Sequence, residues 1–363
     1  MSRRKLIGTT SSERSDINCD FMETSAPTKI ILFGEHYVVY GAPALSVAVN
    51  QRRHVQMEMQ KCGKGNEKME IINPVYDEGG VIYPDGRSEG HKHVQMHAAI
   101  YKEIYNRTHK LEGKSFRATF LGGRIFKGMG GSSALGACIA LALYKYAGVD
   151  VDREEIFRCA QIGDEIDHGG RPSGIDARTV VHGGMIKFWR EFNPSRYNFE
   201  QMGIALPKDT TIIIVDTYRG VRCNTGDLVM RFAKNNGITK KPDELSEEER
   251  KKICEPYVKI YESALRELHI NGNAKTLGEL MYKNHELLKK NGVSTPEIEE
   301  AIDIIKKNGG LGAKITGAGG EGGALIGYIY KKDLQSVMDA LKKSGYDSIE
   351  LEPTNDGVKV ERE

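Results

Sequence analysis

Residues 127–134 read Lys-Gly-Met-Gly-Gly-Ser-Ser-Ala and come directly before an apolar stretch that is predicted to be a helix through about Tyr146. Glycines let the backbone approach a ligand closely, and the free amides at a helix start attract anions. The segment therefore predicts a phosphate-binding loop, in which the serine hydroxyls add donors and a ligand for Mg²⁺. It is neither a Walker A loop nor a dinucleotide fingerprint, because the residues after the glycines and their spacing differ. The alternative is a tight turn with a serine N-cap.

A second glycine cluster, Gly-Ala-Gly-Gly-Glu-Gly-Gly at residues 317–323, follows Lys314-Ile315-Thr316 between two apolar strands. Each glycine costs backbone entropy on folding, so a plain loop would use only one or two. A backbone that packs against a ligand, or against the first glycine segment, would use all five. The alternative is a glycine-rich hairpin with no ligand.

Polar side chains also occur within the apolar segment 26–41. Lys29 lies inside a predicted strand, and Glu35 and His36 follow in a turn, so three polar groups are expected near one point. Taken singly, Lys29 is more often a surface residue with a buried stem, and His36 is more often a hydrogen-bonded structural histidine.

Two carboxylates, Glu165 and Asp176, flank the helix-breaking sequence His-Gly-Gly-Arg-Pro-Ser-Gly at 168–174. A carboxylate at a helix end and another beyond a glycine-proline turn can both face a phosphate site. One could hold Mg²⁺, and the other could orient or deprotonate a hydroxyl group. The alternative for both is a solvated surface position.

The elements that must position these residues alternate irregularly. In the first half we expect strands at 29–33, 44–49, 53–59 and 115–121, a mobile hairpin or loop at 62–90, and helices at 91–107 and from Asp152 to about 166. In the second half we expect a strand at 211–215, a charged linker at 240–250, helices at 256–268, 275–290, 296–307 and 334–343, and a final strand pair at 348–361. Because strands and helices do not follow a regular β-α-β order, the pattern favours an α+β fold over a doubly wound sheet.

The composition excludes several classes of protein. With 363 residues, the chain is long enough for two domains, and its 52 basic and 50 acidic residues give a net charge of only +2. This balance gives no bulk attraction to nucleic acid or to an anionic membrane, and we expect neither as a partner. No apolar run is long enough to span a bilayer. The six cysteines are scattered without a Cys-x-x-Cys pair, which predicts reduced thiols and a cytoplasmic location.

The four segments occur in an order that resembles the GHMP small-molecule kinases from about Thr24 to Val360, nearly the whole chain. The resemblance is strongest to the branch that phosphorylates mevalonate, through SAPTKIILFGEHYVVYGAPALSVAVN, HGGRPSGIDARTVVHGG and MYKNHELLKKNGVSTPEIEEAI. It implies an α+β, two-domain fold with a ribosomal protein S5 domain 2-like N-terminal domain and a ferredoxin-like C-terminal domain. The expected boundaries are a flexible tail at 1–22, an ATP-binding domain at 23–206 and a C-terminal domain at 207–363. The alternative for the final strand is pairing with the first domain, so the boundary near 206 is approximate.

The resemblance also implies roles for individual residues, with ATP and Mg²⁺ as cofactors. Asp176 would take or orient the proton of the acceptor hydroxyl, and Lys29 beside it would favour the alkoxide and the ionised Asp176. Ser133 and Glu165 would hold Mg²⁺. The ATP-binding residues would be Lys127, Gly128, Met129, Gly130, Gly131, Ser132, Ser133 and Ala134. The acceptor pocket would be lined by Glu35, His36, Thr225, Gly317, Ala318 and Gly319, with Gly320 completing the wall.

The sequence departs from the family pattern at three positions: Thr28 replaces a glycine, Gly130 stands where leucine is usual, and Glu321 stands where glycine is usual. A carboxylate at 321 would repel a triphosphate unless it points away or toward Mg²⁺. These changes fit a divergent mevalonate-phosphorylating enzyme or a relative with a neighbouring acceptor.

Several alternatives remain open. The acceptor could be a phosphorylated mevalonate, for which Arg171, Arg219 and Arg222 are candidate cations, or the acceptor of another GHMP kinase. A related decarboxylase fits the motifs less well. A protein that binds a nucleotide without turnover belongs to a different functional class, and the near-complete site argues against it. Formation of a homodimer is also left open.

Overall fold

The computed structural model describes residues 21–123, 125–167, 173–270 and 272–363. The first half contains β1 (Phe21–Phe33), β2 (Ala44–Lys61), β3 (Met69–Asn73), β4 (Glu78–Ile82), β5 (Ser88–Gly90), α1 (Val94–Thr108), β6 (Lys114–Leu121), α2 (Gly131–Tyr146), α3 (Arg153–Asp167), α4 (Ile175–His182), β7 (Met185–Glu191) and β8 (Arg196–Met202). The second half contains β9 (Thr210–Asp216), α5 (Thr225–Asn235), α6 (Glu247–His269), α7 (Ala274–Lys290), α8 (Pro296–Lys307), β10 (Gly310–Thr316), β11 (Ala324–Tyr330), α9 (Leu334–Lys343), β12 (Asp347–Leu351) and β13 (Lys359–Arg362).

A large mixed sheet organises the first half, with the strand order β13-β1-β2-β6-β3-β4-β5 and a branch in which β7 pairs with β2 and β8 pairs with β7. Strand β1 is buried along almost its whole length, as expected for an apolar strand between two neighbours. This sheet places Lys29 in the interior of the protein, where the sequence alone also allowed a surface position.

The segment 62–90, for which a mobile hairpin or loop was predicted, contains a hairpin, because β3 and β4 pair antiparallel across a short turn. The segment forms β3, β4 and β5, which extend the sheet from β6 outward. Met69, Ile71 and Asn73 alternate with half-buried residues along β3, and the strand runs parallel to β6. The high content of glycine and charged residues in this segment therefore belongs to the edge of a sheet, where one face meets solvent.

The second sheet is fully antiparallel in the order β10-β11-β9-β12, within an element order of the β-α-β-β-α-β type. This arrangement confirms the ferredoxin-like expectation for the C-terminal half. The predicted charged linker at 240–250 is partly helical, because α6 begins at Glu247. A reciprocal capping box between Ser246 and Glu249 starts that helix.

The predicted final strand pair does not form, because its two strands join different sheets. β12 pairs with β9 in the second sheet, whereas β13 pairs with β1 in the first. The chain therefore returns to the first half at its end, and one apolar core runs through both halves. Among the described residues, no helix is both long and apolar enough to cross a bilayer.

Candidate active site

A cavity of about 1000 Å³ lies where β1, the start of α2, α4, α5 and the 317–323 segment meet. Its lining includes most of the residues that the sequence analysis singled out: Lys29, Glu35, His36, residues 127–133, Asp176, Thr225, Gly317 and Ala318. This volume is at the upper end of the range found for small-molecule sites. Segments far apart in the chain therefore meet around a single cavity.

The predicted phosphate loop has the backbone shape that an anion site requires. Gly128 and Gly130 adopt left-handed conformations with φ of 84° and 70°, and Gly130 is the N-cap of α2. No side-chain hydrogen bond caps the start of this helix, so its first amides are available to a ligand. Residues 127–133 line the cavity, whereas Ala134 is fully buried in the core and does not.

Lys29 and Asp176 form an ion pair on the cavity wall, with 3.0 Å between Lys29 Nζ and Asp176 Oδ1. The Lys29 side chain is 1% exposed and that of Asp176 is 21% exposed. Lys29 Nζ also donates to the Gly128 carbonyl at 2.8 Å, and its backbone N–H donates to the Met129 carbonyl at 2.8 Å. The carboxylate lies in the first turn of α4, where the helix dipole favours negative charge.

Gly130 lies against this ion pair. A Cβ at position 130 would lie 3.2 Å from carbons of the Lys29 side chain and 3.5 Å from Asp176 Oδ2. A Cβ in this left-handed position would be tight against the Lys29 side chain and in ordinary van der Waals contact with Asp176. Glycine at position 130, where the family usually has leucine, therefore leaves room for Lys29 and Asp176 to pack against the predicted phosphate loop.

Glu35 pairs with Lys314, a residue for which the sequence analysis had assigned no role. Lys314 Nζ contacts Glu35 Oε1 and also donates to the Ile315 carbonyl at 2.6 Å, and both side chains are fully buried. Burial raises the pKa of Glu35 and lowers the pKa of Lys314, because desolvation penalises both charges, although the pairing opposes these shifts. The pair joins the turn after β1 to strand β10 of the other half.

His36 is a neutral hydrogen-bonding residue of the wall. Burial lowers its pKa to about 4, so the imidazole is uncharged at neutral pH. Nε2 lies 3.0 Å from the Ala318 carbonyl, which can only accept, so Nε2 carries the proton. The ring stacks on Phe232 with 5.0 Å between ring centroids. Nδ1 is then an acceptor, and it has no hydrogen-bond partner among the described residues.

The carboxylate that faces Ser133 is Asp164 and not the predicted Glu165. The Ser133 hydroxyl lies 2.8 Å and 2.6 Å from the two Asp164 oxygens, and both residues are 1% exposed on the cavity wall. Glu165 is exposed and does not line the cavity. Helical periodicity could have found this residue, because Asp164 follows buried Ile156, Phe157 and Ala160 on the inner face of α3.

The second glycine segment packs mainly against protein. A Cβ at Gly317 would lie 3.0 Å from Gly128 Cα, and one at Gly128 would lie 2.8 Å from the Thr316 carbonyl oxygen, so the two glycine loops touch. A Cβ at Gly319 would lie 2.5 Å from the Val293 carbonyl oxygen, and Gly319 does not line the cavity. A Cβ at Gly320 would meet Leu228 at 2.3 Å. Close packing therefore explains these glycines, and only Gly317 and Ala318 of the segment reach the cavity.

The other two departures from the family pattern, Glu321 and Thr28, cause no conflict with their surroundings. Glu321 pairs with Arg231 at 3.3 Å and accepts from Cys223 Sγ at 2.7 Å, and it is not among the cavity-lining residues. These hydrogen bonds, first that from Cys223, lower the pKa of Glu321 to about 2. Thr28 lies within β1, has no positive φ, and donates to the Gln51 carbonyl at 2.7 Å.

We predict that Lys314→Met destabilises the fold by about 3–5 kcal/mol, because it leaves Glu35 as a buried carboxylate without its cation. The double variant Glu35→Gln with Lys314→Met should recover much of this loss. Urea denaturation followed by circular dichroism measures the stability of both variants.

Lys251→Met is a matched control, because both side chains of the Lys251–Glu247 pair are 75% exposed. This variant should leave the urea midpoint unchanged. Equal midpoints for Lys314→Met and the control would contradict the assigned role of the buried pair.

Comparison with known proteins identifies the family to which this chain is similar. Models of the GHMP kinase N-terminal and C-terminal domains match residues 100–184 and 262–347. A mevalonate kinase of Archaeoglobus fulgidus is 32% identical over 341 residues, which cover 94% of this chain and 100% of the relative. A mevalonate kinase of Thermococcus sibiricus is 29% identical over 353 residues, with 93% and 97% covered.

Solved structures share the fold at lower identity. A mevalonate kinase of Methanococcus jannaschii matches with a TM-score of 0.71 at 22% identity, covering 94% of this chain and 99% of that one. A galactokinase of Lactococcus lactis matches with a TM-score of 0.71 at 17% identity, covering 94% and 95%. The fold alone therefore does not distinguish acceptors. The full-length sequence similarity and the two matching domain models show that the chain belongs to the GHMP kinase superfamily of small-molecule kinases.

Proposed function

We propose that this kinase transfers the γ-phosphoryl group of ATP to the 5-hydroxyl of mevalonate. The observation that carries the proposal is the position of the Lys29–Asp176 pair, which is hydrogen-bonded to the loop that would hold the phosphates. Phosphoryl transfer to an alcohol needs a carboxylate beside the hydroxyl and positive potential around the phosphoryl group. The names of the full-length relatives support mevalonate as the acceptor.

In the proposed reaction, the acceptor hydroxyl hydrogen-bonds to Asp176. Its proton passes to this carboxylate as the hydroxyl oxygen forms a bond to the γ-phosphorus, while the bond to the bridging oxygen breaks and ADP leaves. Lys29 stabilises the negative charge that develops on the acceptor oxygen. The Gly128 carbonyl accepts from the ammonium group at 2.8 Å, which holds Lys29 in place beside Asp176 before the transfer.

Ser133 and Asp164 are the residues that fit Mg²⁺. Both present oxygen atoms, the donor type that this ion prefers, within hydrogen-bond distance of one another on the cavity wall. When bound, Mg²⁺ would neutralise phosphate charge and orient the triphosphate. Because Asp164 is buried and Glu165 faces solvent, we propose Asp164 as the ligand in place of Glu165.

The remaining parts of the cavity would contact the nucleoside of ATP on one side and the acceptor molecule on the other. Beyond the phosphate loop the wall is formed by Ile71, Asn73, Met96 and Phe120, which would contact the nucleoside. On the acceptor side, His36 Nδ1 and Glu35 Oε2 are buried acceptors without a partner among the described residues. Such groups can receive hydrogen bonds from the hydroxyls of a small polyol acid.

A phosphorylated acceptor has weaker support. Arg219 donates to the carbonyls of Ser344 and Gly345 and does not line the cavity. Arg222 does line it, but it is paired with Asp216 at 3.0 Å. Arg171, the third cation considered, lies outside the described residues.

The acceptor is tested by ADP release in a coupled assay with mevalonate, phosphomevalonate, homoserine and galactose. We expect turnover with mevalonate and little with the others. Turnover of another acceptor without turnover of mevalonate would reject the proposed substrate but not the kinase assignment. ATP binding with no turnover of any acceptor would favour a nucleotide-binding sensor.

We predict that Asp176→Asn lowers kcat by about 10²–10⁴, because the amide cannot accept the hydroxyl proton. ATP binding measured by calorimetry should largely survive. Asp243→Asn, at an exposed position in the second half, is the matched control and should keep wild-type kcat. If Asp176→Asn kept a kcat near that of the wild type, the proposed role of Asp176 as proton acceptor would be wrong.

The Mg²⁺ assignment is tested by comparing Asp164→Asn with Glu165→Gln, two adjacent carboxylate-to-amide changes. We expect Asp164→Asn to raise the Mg²⁺ concentration needed for half-maximal rate by at least about tenfold, whereas Glu165→Gln should behave as wild type. Thermal denaturation shows whether both variants are folded. The opposite pattern would return the metal site to Glu165.

A further inference from the structure

A second polar cluster lies on the wall of the same cavity and is formed by residues that the proposed chemistry does not use. Glu78 begins β4, and His91 and His93 lie between β5 and α1. The potential ligand atoms of the three residues all lie within 4.8 Å of one another, and all three residues line the cavity. No role in the phosphoryl transfer proposed above falls to them.

The backbone around the cluster brings these side chains together. β4 and β5 are antiparallel, with Gly80 opposite Gly90, and a Cβ at Gly80 would lie 2.1 Å from the Glu89 carbonyl oxygen. Two glycines therefore permit an unusually close approach of the two strands at this point. The His91 amide then donates to the Gly79 carbonyl at 2.9 Å, which fixes the first histidine beside Glu78.

Two imidazoles and one carboxylate form the donor set that binds Zn²⁺ and similar transition metals in three-residue sites. His91 Nε2 lies 3.6 Å from Glu78 Oε1, and the two imidazole rings stack with centroids 4.9 Å apart. Coordination bonds of about 2.0–2.2 Å would require the three groups to draw slightly closer. Their side chains are half-buried or exposed, so rotation is unhindered by a packed core.

Metal binding through His91 would affect a local contact with the His93 backbone. The His93 amide lies 3.5 Å from His91 Nδ1, a distance at the outer limit for a hydrogen bond. If His91 binds the metal through Nε2, then Nδ1 carries the proton and can no longer accept from this amide. The contact is long and its donor is exposed to water, so its loss opposes metal binding only weakly.

We propose that Glu78, His91 and His93 form a zinc-class metal site on the cavity wall, and that its occupancy changes the affinity for nucleotide. Three protein ligands leave a fourth coordination position for water or for a ligand atom of a bound molecule. Because all three residues line the cavity, that position is accessible from the space that the nucleotide would share. Only the coupling to nucleotide depends on the function proposed above; metal binding does not.

The site is tested by titrating the full-length protein, free of any affinity tag, with Zn²⁺ alone by isothermal calorimetry. Excess Mg²⁺ is present to fill oxygen-ligand sites, which imidazole-rich sites do not share. We expect one equivalent of Zn²⁺ to bind, and binding to weaken at least about tenfold in His93→Ala and in Glu78→Gln. His269→Ala removes an exposed histidine at the end of α6 and should bind Zn²⁺ as wild type does.

Co²⁺ substitution provides an independent measurement, because its visible absorption reports nitrogen ligands. Wild-type binding retained in both cluster variants, or no stoichiometric binding at all, would overturn the metal site. The coupling is tested by the Kd for ATP with and without Zn²⁺. A Kd that Zn²⁺ shifts in wild type but not in His93→Ala supports coupling, and equal Kd values in wild type overturn it. Each of these readouts stands whichever acceptor the enzyme phosphorylates.

Discussion

The buried ammonium group of Lys29 is the interaction on which the site depends. A charge that is 1% exposed requires compensation, and the protein supplies it with the Asp176 carboxylate and the Gly128 carbonyl. The two partners come from separate segments, the start of α4 and the loop before α2. Their common contact with one nitrogen atom fixes the proposed base beside the backbone that we propose to hold the phosphates. The contacts that compensate the buried Lys29 charge therefore also set the geometry of the proposed catalytic site.

The second constraint is the close approach of the two glycine loops. Gly128 and Gly317 come within contact distance of each other, and neither position tolerates a side chain, because each backbone is left-handed and each Cβ would meet the other loop. The buried Glu35–Lys314 pair adds a polar contact between the same two halves. The cavity is thus bounded by contacts between the two halves of the chain. Its lining residues therefore come from segments that are far apart in the sequence.

The sequence predicted the principal secondary structure around the site with good accuracy. Helix α8 was expected at 296–307 and lies there, because a threonine cap and a proline in the first turn mark its start. For the segment 62–90 a hairpin was among the predicted forms, but its place at the edge of the large sheet was not predicted, because glycine and charged residues are typical both of loops and of exposed sheet edges. The pairing of β13 with β1 was left open as an alternative, because pairing partners more than 300 residues apart leave no local signal.

By itself, the sequence determined the chemistry that the protein offers: two glycine segments, a lysine in an apolar strand, and an aspartate after a glycine-proline turn, in the order of the GHMP kinases. The tertiary structure alone decided which groups meet. It paired Lys314 with Glu35 across 279 residues and turned Asp164, not Glu165, toward Ser133. The physical reason is that residue types and spacing specify local backbone conformation, whereas contacts between distant segments depend on how sheets and helices pack. A shift of one position on a helix moves a carboxylate from the cavity to solvent.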